Sequence, residues 1–199
     1  MWYFEKQRLV FFHIPKTGGT SFTTFLRKKL GESRHIKKFT HHEPLLVKKE
    51  ILGDELFNKL IIITLIRNPY ANLVSHWAWV QQIKSNSKYP HIAELKGVNF
   101  PEFVDWHFEN YNSYSDFILI NEEIPPNLRI IRLEYLEKDT NKVLNNELGL
   151  NLQLDFPHIH KTSHAPFMDY YTNDLLNKVN KKYEWTFDMG FYSKKENIN

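Results

Sequence analysis

Apolar residues occur along this chain in two alternating rhythms. Continuous runs come first: Leu9-Val10-Phe11-Phe12 within residues 8–14, and the stretch from Leu60 to Ile66 within residues 59–66. Unbroken runs of this length predict strands covered on both faces, as at the centre of a parallel sheet. Between and after them the spacing becomes helical. Phe22, Phe25, Leu26 and Leu30 share one face of a helix predicted over residues 20–30, and Gly31 is a good stop. Asn68 as cap and Pro69 in the first turn start a helix running to about residue 84.

The same reading predicts a short strand at 34–39, one or two short helices over 44–60, and a polar, mobile surface loop at 85–97. It continues with a helix at 100–109, a strand at 128–133, a helix over 134–148 ending at Gly149, a loop rich in His and Pro over 151–166, and a last helix at 170–183. Strands alternating with helices define an α/β fold with a mostly parallel sheet. The chain of 199 residues reads as a single domain, 1–199.

Composition narrows the function classes. Fifteen Phe, ten Tyr and five Trp, with 42% hydrophobic residues, provide a core and argue against disorder. A net charge of +3 suits an anionic ligand but is too small to imply nucleic acid. The absence of cysteine excludes disulfides and thiolate metal sites. The run ending at Ile66 is too short to span a bilayer. The segment Met1-Trp2-Tyr3-Phe4-Glu5-Lys6 lacks the features of a signal peptide.

The chemistry concentrates at strand ends. His13-Ile14-Pro15-Lys16-Thr17-Gly18-Gly19-Thr20-Ser21 follows the first strand and opens the first helix. Glycines that turn N–H groups inward, a helix N-terminus, a lysine and hydroxyls together make a phosphate cradle. A Gly-Gly turn with a surface lysine is the plainer reading of the same residues. The loop is not a Walker A motif, because Lys16 precedes the glycine pair. At the end of the strongest strand stands Arg67, in Arg67-Asn68-Pro69 with Ser75 eight residues on. An Arg fork with a hydroxyl is a clamp for a phosphate dianion.

These two motifs, in this order, resemble those of sulfotransferases that use 3′-phosphoadenosine 5′-phosphosulfate (PAPS), and in particular the carbohydrate-type, sulfotransferase family 2-like microbial branch. Arg129 to Leu136 resembles the family's strand ending in Arg-x-Glu-x-Leu, with Glu134 either orienting loops or capping a helix. Tyr170-Tyr171-Thr172 and Asp188-Met189-Gly190-Phe191 resemble its ending, although Met189-Gly190 stands where Phe-Gly is usual.

The resemblance implies a P-loop-like parallel sheet flanked by helices on both faces. It implies that Lys16, Thr17, Gly18, Gly19, Thr20 and Ser21 hold the 5′-phosphosulfate, that Lys16 also stabilises the leaving oxygen, and that Arg67 and Ser75 hold the 3′-phosphate. Lys161 and Ser163, in a late loop, are candidates to cover the nucleotide. The base is expected in Thr40-His41-His42-Glu43-Pro44, with His42 favoured, His41 next and Glu43 third; histidine suits proton transfer near neutrality.

No metal is expected, and His158, His160 and His164 read as a solvated loop. His13 is expected beneath the phosphate loop. Trp77, Trp79, Trp106, Tyr70 and Tyr89 either line a sugar-stacking cleft or belong to the core, the latter being commoner for aromatics on helices. The acceptor implied is a hydroxyl of a carbohydrate or glycolipid. Animal members carry a Golgi membrane anchor, and its lack here points to a cytoplasmic, microbial enzyme; homo-oligomerisation stays open. The rival readings are a small-molecule kinase, which would need Ser/Thr after the lysine and an acidic strand end, and a non-catalytic nucleotide-binding module.

Overall fold

The computed structural model describes residues 1–36, 42–83, 90–157, 159 and 162–197. The described chain forms two compact units: residues 1–67 with 116–159, and residues 68–115 with 160–199.

The first unit is built on a five-stranded sheet: β1 (Trp2–Phe4), β2 (Leu9–Phe11), β3 (Arg34–His35), β4 (Ile61–Ile66) and β5 (Leu128–Arg132). The order is β3-β1-β2-β4-β5. The centre is parallel, with Val10 opposite Ile62 and Ile63 opposite Arg129. Both continuous apolar runs are therefore inner strands buried on both faces, as their sequence predicts. Beyond β2 the sheet turns antiparallel. β1 pairs with β2 across a turn closed by Arg8 N–H donating to Glu5 C=O, and β3 pairs with β1. Sequence reading misses β1: three residues give no period, and the turn's left-handed position is taken by Arg8 (φ 47°), not glycine.

Helix α1 (Gly19–Leu30) packs its face of Phe22, Phe25, Leu26 and Leu30 against Phe11, Ile63, Leu65 and Ile131 of the sheet. On the other side of β2, Lys48 of α2 (Leu45–Leu52) lies over the Phe12 ring, and α3 (Asp54–Lys59) leads into β4. The helical run after β5 changes pitch twice. A 3₁₀ turn (Leu133–Tyr135) passes into α8 (Leu136–Thr140) and then a π-helical turn (Asn141–Glu147). The next segment is an extended strap. Leu150, Leu152, Leu154 and Phe156 pack on the core, and Phe156 meets Phe25 at 4.4 Å. Its alternating leucines are the signal of this placement, in a stretch the sequence marks only as loop.

In the second unit, α4 (Pro69–Gln82) begins where expected, with Asn68 Oδ1 accepting from Tyr70 N–H at 3.0 Å. With it in this unit are α5 (Pro90–Ala93), α6 (Phe100–Asn110), α9 (Asn173–Lys182) and α10 (Glu184–Asp188), and the chain passes back to the first unit within α7 (Tyr114–Ile118). The predicted loop at 85–97 thus contains a helical turn, and the last predicted helix starts later, at a Thr172 cap, and is followed by a second one. Among the described residues, no helix is long and apolar enough to cross a membrane.

Candidate active site

The loop between β2 and α1 is shaped by what each residue cannot avoid. The ladder continues to Phe12, whose N–H donates to Ile63 C=O. Lys16 (φ 61°) and Gly18 (φ 80°) then both take left-handed backbone conformations, which reverse the chain into the helix. At Gly18 glycine adopts this without strain. Gly19 is required for a different reason: a Cβ there would lie 2.1 Å from the His13 ring. His13 therefore does pack against the loop, as expected.

The first internal bond of α1 runs from Phe22 N–H to Gly18 C=O. The N–H groups before it have no intrahelical acceptor and carry the positive end of the helix dipole, with no acidic side chain in that turn. The hydroxyls divide. Thr17 is fully buried and donates to Ile14 C=O at 2.8 Å, so it faces inward. Ser21 Oγ accepts from Ile159 N–H at 3.1 Å, tying the end of the strap to the loop. Thr20 is exposed.

Two cations converge behind this turn. Because β4 and β5 are parallel neighbours with Ile66 opposite Arg132, the residues just past both strands meet. Arg67 Nη1 donates to the Lys16 carbonyl at 3.4 Å, and Arg67 Nε lies 3.9 Å from Glu134 Oε1. Glu134 is thus an ion-pair partner of the strand-end arginine. Burial, and secondarily the charge of Arg67, bring the Lys16 pKa down to about 8. Lys16 and Arg67 thus bring two cationic groups side by side at the loop, with the Glu134 carboxylate beside Arg67.

His42 is exposed, and its ring lies 5.5 Å from that of His13. His42 is thereby brought to the phosphate loop through the residue that abuts Gly19. The turn carrying it is anchored by Lys48, whose ammonium donates to Glu43 C=O and sits 5.3 Å over the Phe12 ring. Lys48 is 1% exposed, and burial lowers its pKa to about 8 despite the nearby Glu43 carboxylate. Lys48 thus holds the Glu43 main chain, while Glu43 Oε2 is buried with no hydrogen bond among the described residues. The sequence reading did not include Lys48, and a buried lysine amid a helical run of charged residues carries no local signature. His41 lies outside the described residues.

Within the second unit, Ser75 on α4 is nearly buried, with Oγ 3.3 Å from Thr162 Oγ1. Thr162 is a neighbour that the sequence reading did not single out. Ser163 is exposed, and its carbonyl accepts from Gln82 Nε2 at 3.2 Å. Lys161, His158 and His160 lie outside the described residues, as does Tyr89. His164 Nδ1 is 2.7 Å from the Ala165 carbonyl, a local loop contact. The aromatic candidates form packing. Trp77 donates to Val98 C=O and packs on Tyr170; Tyr70 is fully buried, its hydroxyl held by Asn180 and by Lys195 N–H. Trp79 contacts His76, and Trp106 contacts Phe103 and Tyr111. Among the described residues, no three His, Asp or Glu converge as a metal-ligand set.

No curated protein matches the chain. A family model for sulfotransferases matches residues 1–189, which include the phosphate loop, the Arg67 strand end and the turn bearing His42. With nearly its whole length covered, and with a P-loop-like α/β sheet beneath its glycine loop, the chain belongs to the sulfotransferase family.

Proposed function

We propose that this sulfotransferase moves the sulfuryl group of PAPS to a hydroxyl of a carbohydrate or glycolipid. The observation that carries the reading is the pairing of Lys16 and Arg67 beside the N-terminus of α1. Glycines at positions 18 and 19, unfilled N–H groups and two cations match the donor set that a phosphosulfate needs.

In this scheme the backbone of residues 17–21 and the Thr20 hydroxyl hold the 5′-phosphosulfate, Thr17 contributing through its N–H because its hydroxyl is used internally. Arg67 and Ser75 bind the 3′-phosphate, with Lys161 and Ser163 closing over the nucleotide. His42, with His41 as the alternative, accepts the acceptor's proton as its oxygen bonds to sulfur. Lys16 stabilises the electron pair arriving on the bridging oxygen as the sulfur–oxygen bond to the 5′-phosphate breaks, leaving adenosine 3′,5′-bisphosphate. None of these steps requires a metal. A cytoplasmic site of action belongs to the same proposal and is checked by cell fractionation.

The decisive experiment is a calorimetric titration with adenosine 3′,5′-bisphosphate, ATP and AMP. Tight binding of the bisphosphate alone, lost in Arg67→Ala, is expected. Preference for ATP with magnesium would favour a kinase, and no binding would favour a non-catalytic module.

A further inference from the structure

The anion site depends on the first turn of α1, and that turn is weakly secured from within. Its N-cap is Gly18, no side chain caps it, and Gly19 is the first helical residue. Glycine costs backbone entropy in a helix, and a first turn lacks the intrahelical bonds that hold later ones. The N–H groups that would face a phosphate therefore stand on the part of the helix most prone to fray.

Ser21 supplies a restraint from outside the helix. Its Oγ accepts from Ile159 N–H at 3.1 Å and donates to Ile159 C=O at 3.4 Å. One hydroxyl thus engages both polar groups of a backbone residue 138 positions away. This is one of three ties between the strap and α1, and they follow in order along the helix. Asp155 pairs with Lys28 and Lys29 in the last turn, at 2.7 and 2.5 Å. Phe156 packs on Phe25 and Phe22 in the middle. Ile159 meets Ser21 at the start. Pro157 fixes its own φ and favours an extended Phe156, so the strap reaches the first turn with few conformations to lose. The ion pairs are exposed and individually weak. The tie at Ser21 is half-buried and acts on the turn itself.

We propose that Ser21 is a positioning residue for the sulfonucleotide: its hydroxyl serves the strap, and the strap holds the first turn of α1 in the anion-binding geometry. The proposal rests on the sulfotransferase reading above. It gives the Ser21 side chain a role other than the phosphate contact that its place in the loop suggests. Strap docking and nucleotide binding then favour each other, and such coupling is reciprocal.

The test uses the full chain and adenosine 3′,5′-bisphosphate. In the wild type, amide exchange at Ile159 is followed with and without the bisphosphate. Slower exchange on binding is expected, and the slowing should disappear in Ser21→Ala. Faster exchange would mean that the nucleotide takes the hydroxyl from the strap, and unchanged exchange that the two are independent; either overturns the proposal. Two variants are then titrated with the bisphosphate. Ser21→Ala removes the hydroxyl, whereas Ile159→Pro removes the N–H it accepts from and leaves the hydroxyl free for a phosphate. Each should weaken binding roughly two- to tenfold, the worth of one hydrogen bond, and the double variant should be no weaker than either alone. Full affinity in Ile159→Pro with a loss in Ser21→Ala would make Ser21 a direct ligand and overturn the proposal. The wild-type exchange measurement decides the matter even where a variant fails to fold. No bisphosphate binding by the wild type would overturn the nucleotide reading and this proposal with it, a result distinct from binding that ignores the strap.

Discussion

Lys16 combines a left-handed backbone with partial burial and a neighbouring Arg67, and the last two disfavour its ammonium unless an anion is present. This predicts a pH dependence. With a pKa lowered to about 8, the lysine is charged below that pH and loses its proton above it in the free protein. Bisphosphate affinity should therefore be highest below pH 8 and weaken above it, by up to about tenfold per unit. Titrations across pH 7–10 check this, and Lys16→Met should flatten the profile; an unchanged slope in that variant removes Lys16 from the site.

Lys48 invites a different measurement. Lys48→Met keeps the apolar stem of the side chain as far as Cε but removes the ammonium that anchors the turn bearing His42. Transfer should fall roughly ten- to a hundredfold, as for a misplaced catalytic group, with bisphosphate affinity retained. Loss of affinity with transfer intact would contradict that role. At this scale the sequence shows which residue types stand at the strand ends, because spacing alone puts them there. It does not show that Thr17 turns inward or that His13 occupies the space of a Cβ at Gly19, since tertiary neighbours decide both.

Among the elements, the strap over residues 150–156 is clasped at Leu152 by one side chain. Asn145, in the π-helical turn, donates to Leu152 C=O at 2.9 Å and accepts from Leu152 N–H at 2.6 Å. Farther along, Asp155 lies between Lys28 and Lys29, which hold its carboxyl well below the usual range. That contribution is present above the ordinary carboxylate pKa and is lost as acid protonates the group, and being exposed it is also screened by salt. Asn145→Ala is expected to destabilise the fold by about 1–3 kcal/mol by leaving a backbone pair unsatisfied. Denaturant melts would show this, together with faster amide exchange at Leu152; a melt matching the wild type would mean that the strap holds without it.

Strands β2 and β4 are legible from continuous apolar runs, and helices α1 and α4 from apolar spacing and end signals. β1 and the strap are too short, or too close to His- and Pro-rich sequence, to outweigh their surroundings. The smooth helix expected after β5 instead changes pitch, and the π-helical turn carries the asparagine that clasps the strap.

At the scale of the whole molecule, each compact unit is assembled from two separated stretches of chain, with crossings after residues 67, 115 and 159. The order of the motifs is visible in the sequence; this interleaving is not, because periodicity carries no information about which segments return to which. It matters most to β4, which lies between β2 and β5. On a ribosome, the phosphate loop and Arg67 emerge long before the strand that covers the far edge of β4. Until β5 is made, the nascent chain presents an apolar, unpaired strand, the kind of edge that templates aggregation. A fragment ending at residue 115 should therefore be insoluble although it contains both proposed anion-binding motifs, whereas the chain carried through both returning stretches, to residue 199, should be soluble. Comparing soluble yields of the two lengths tests this, and a soluble, protease-resistant shorter fragment would count against it. A protein organised in this way completes the unit that bears the glycine loop only late in synthesis, so premature termination yields a liability for quality control and not a smaller working enzyme.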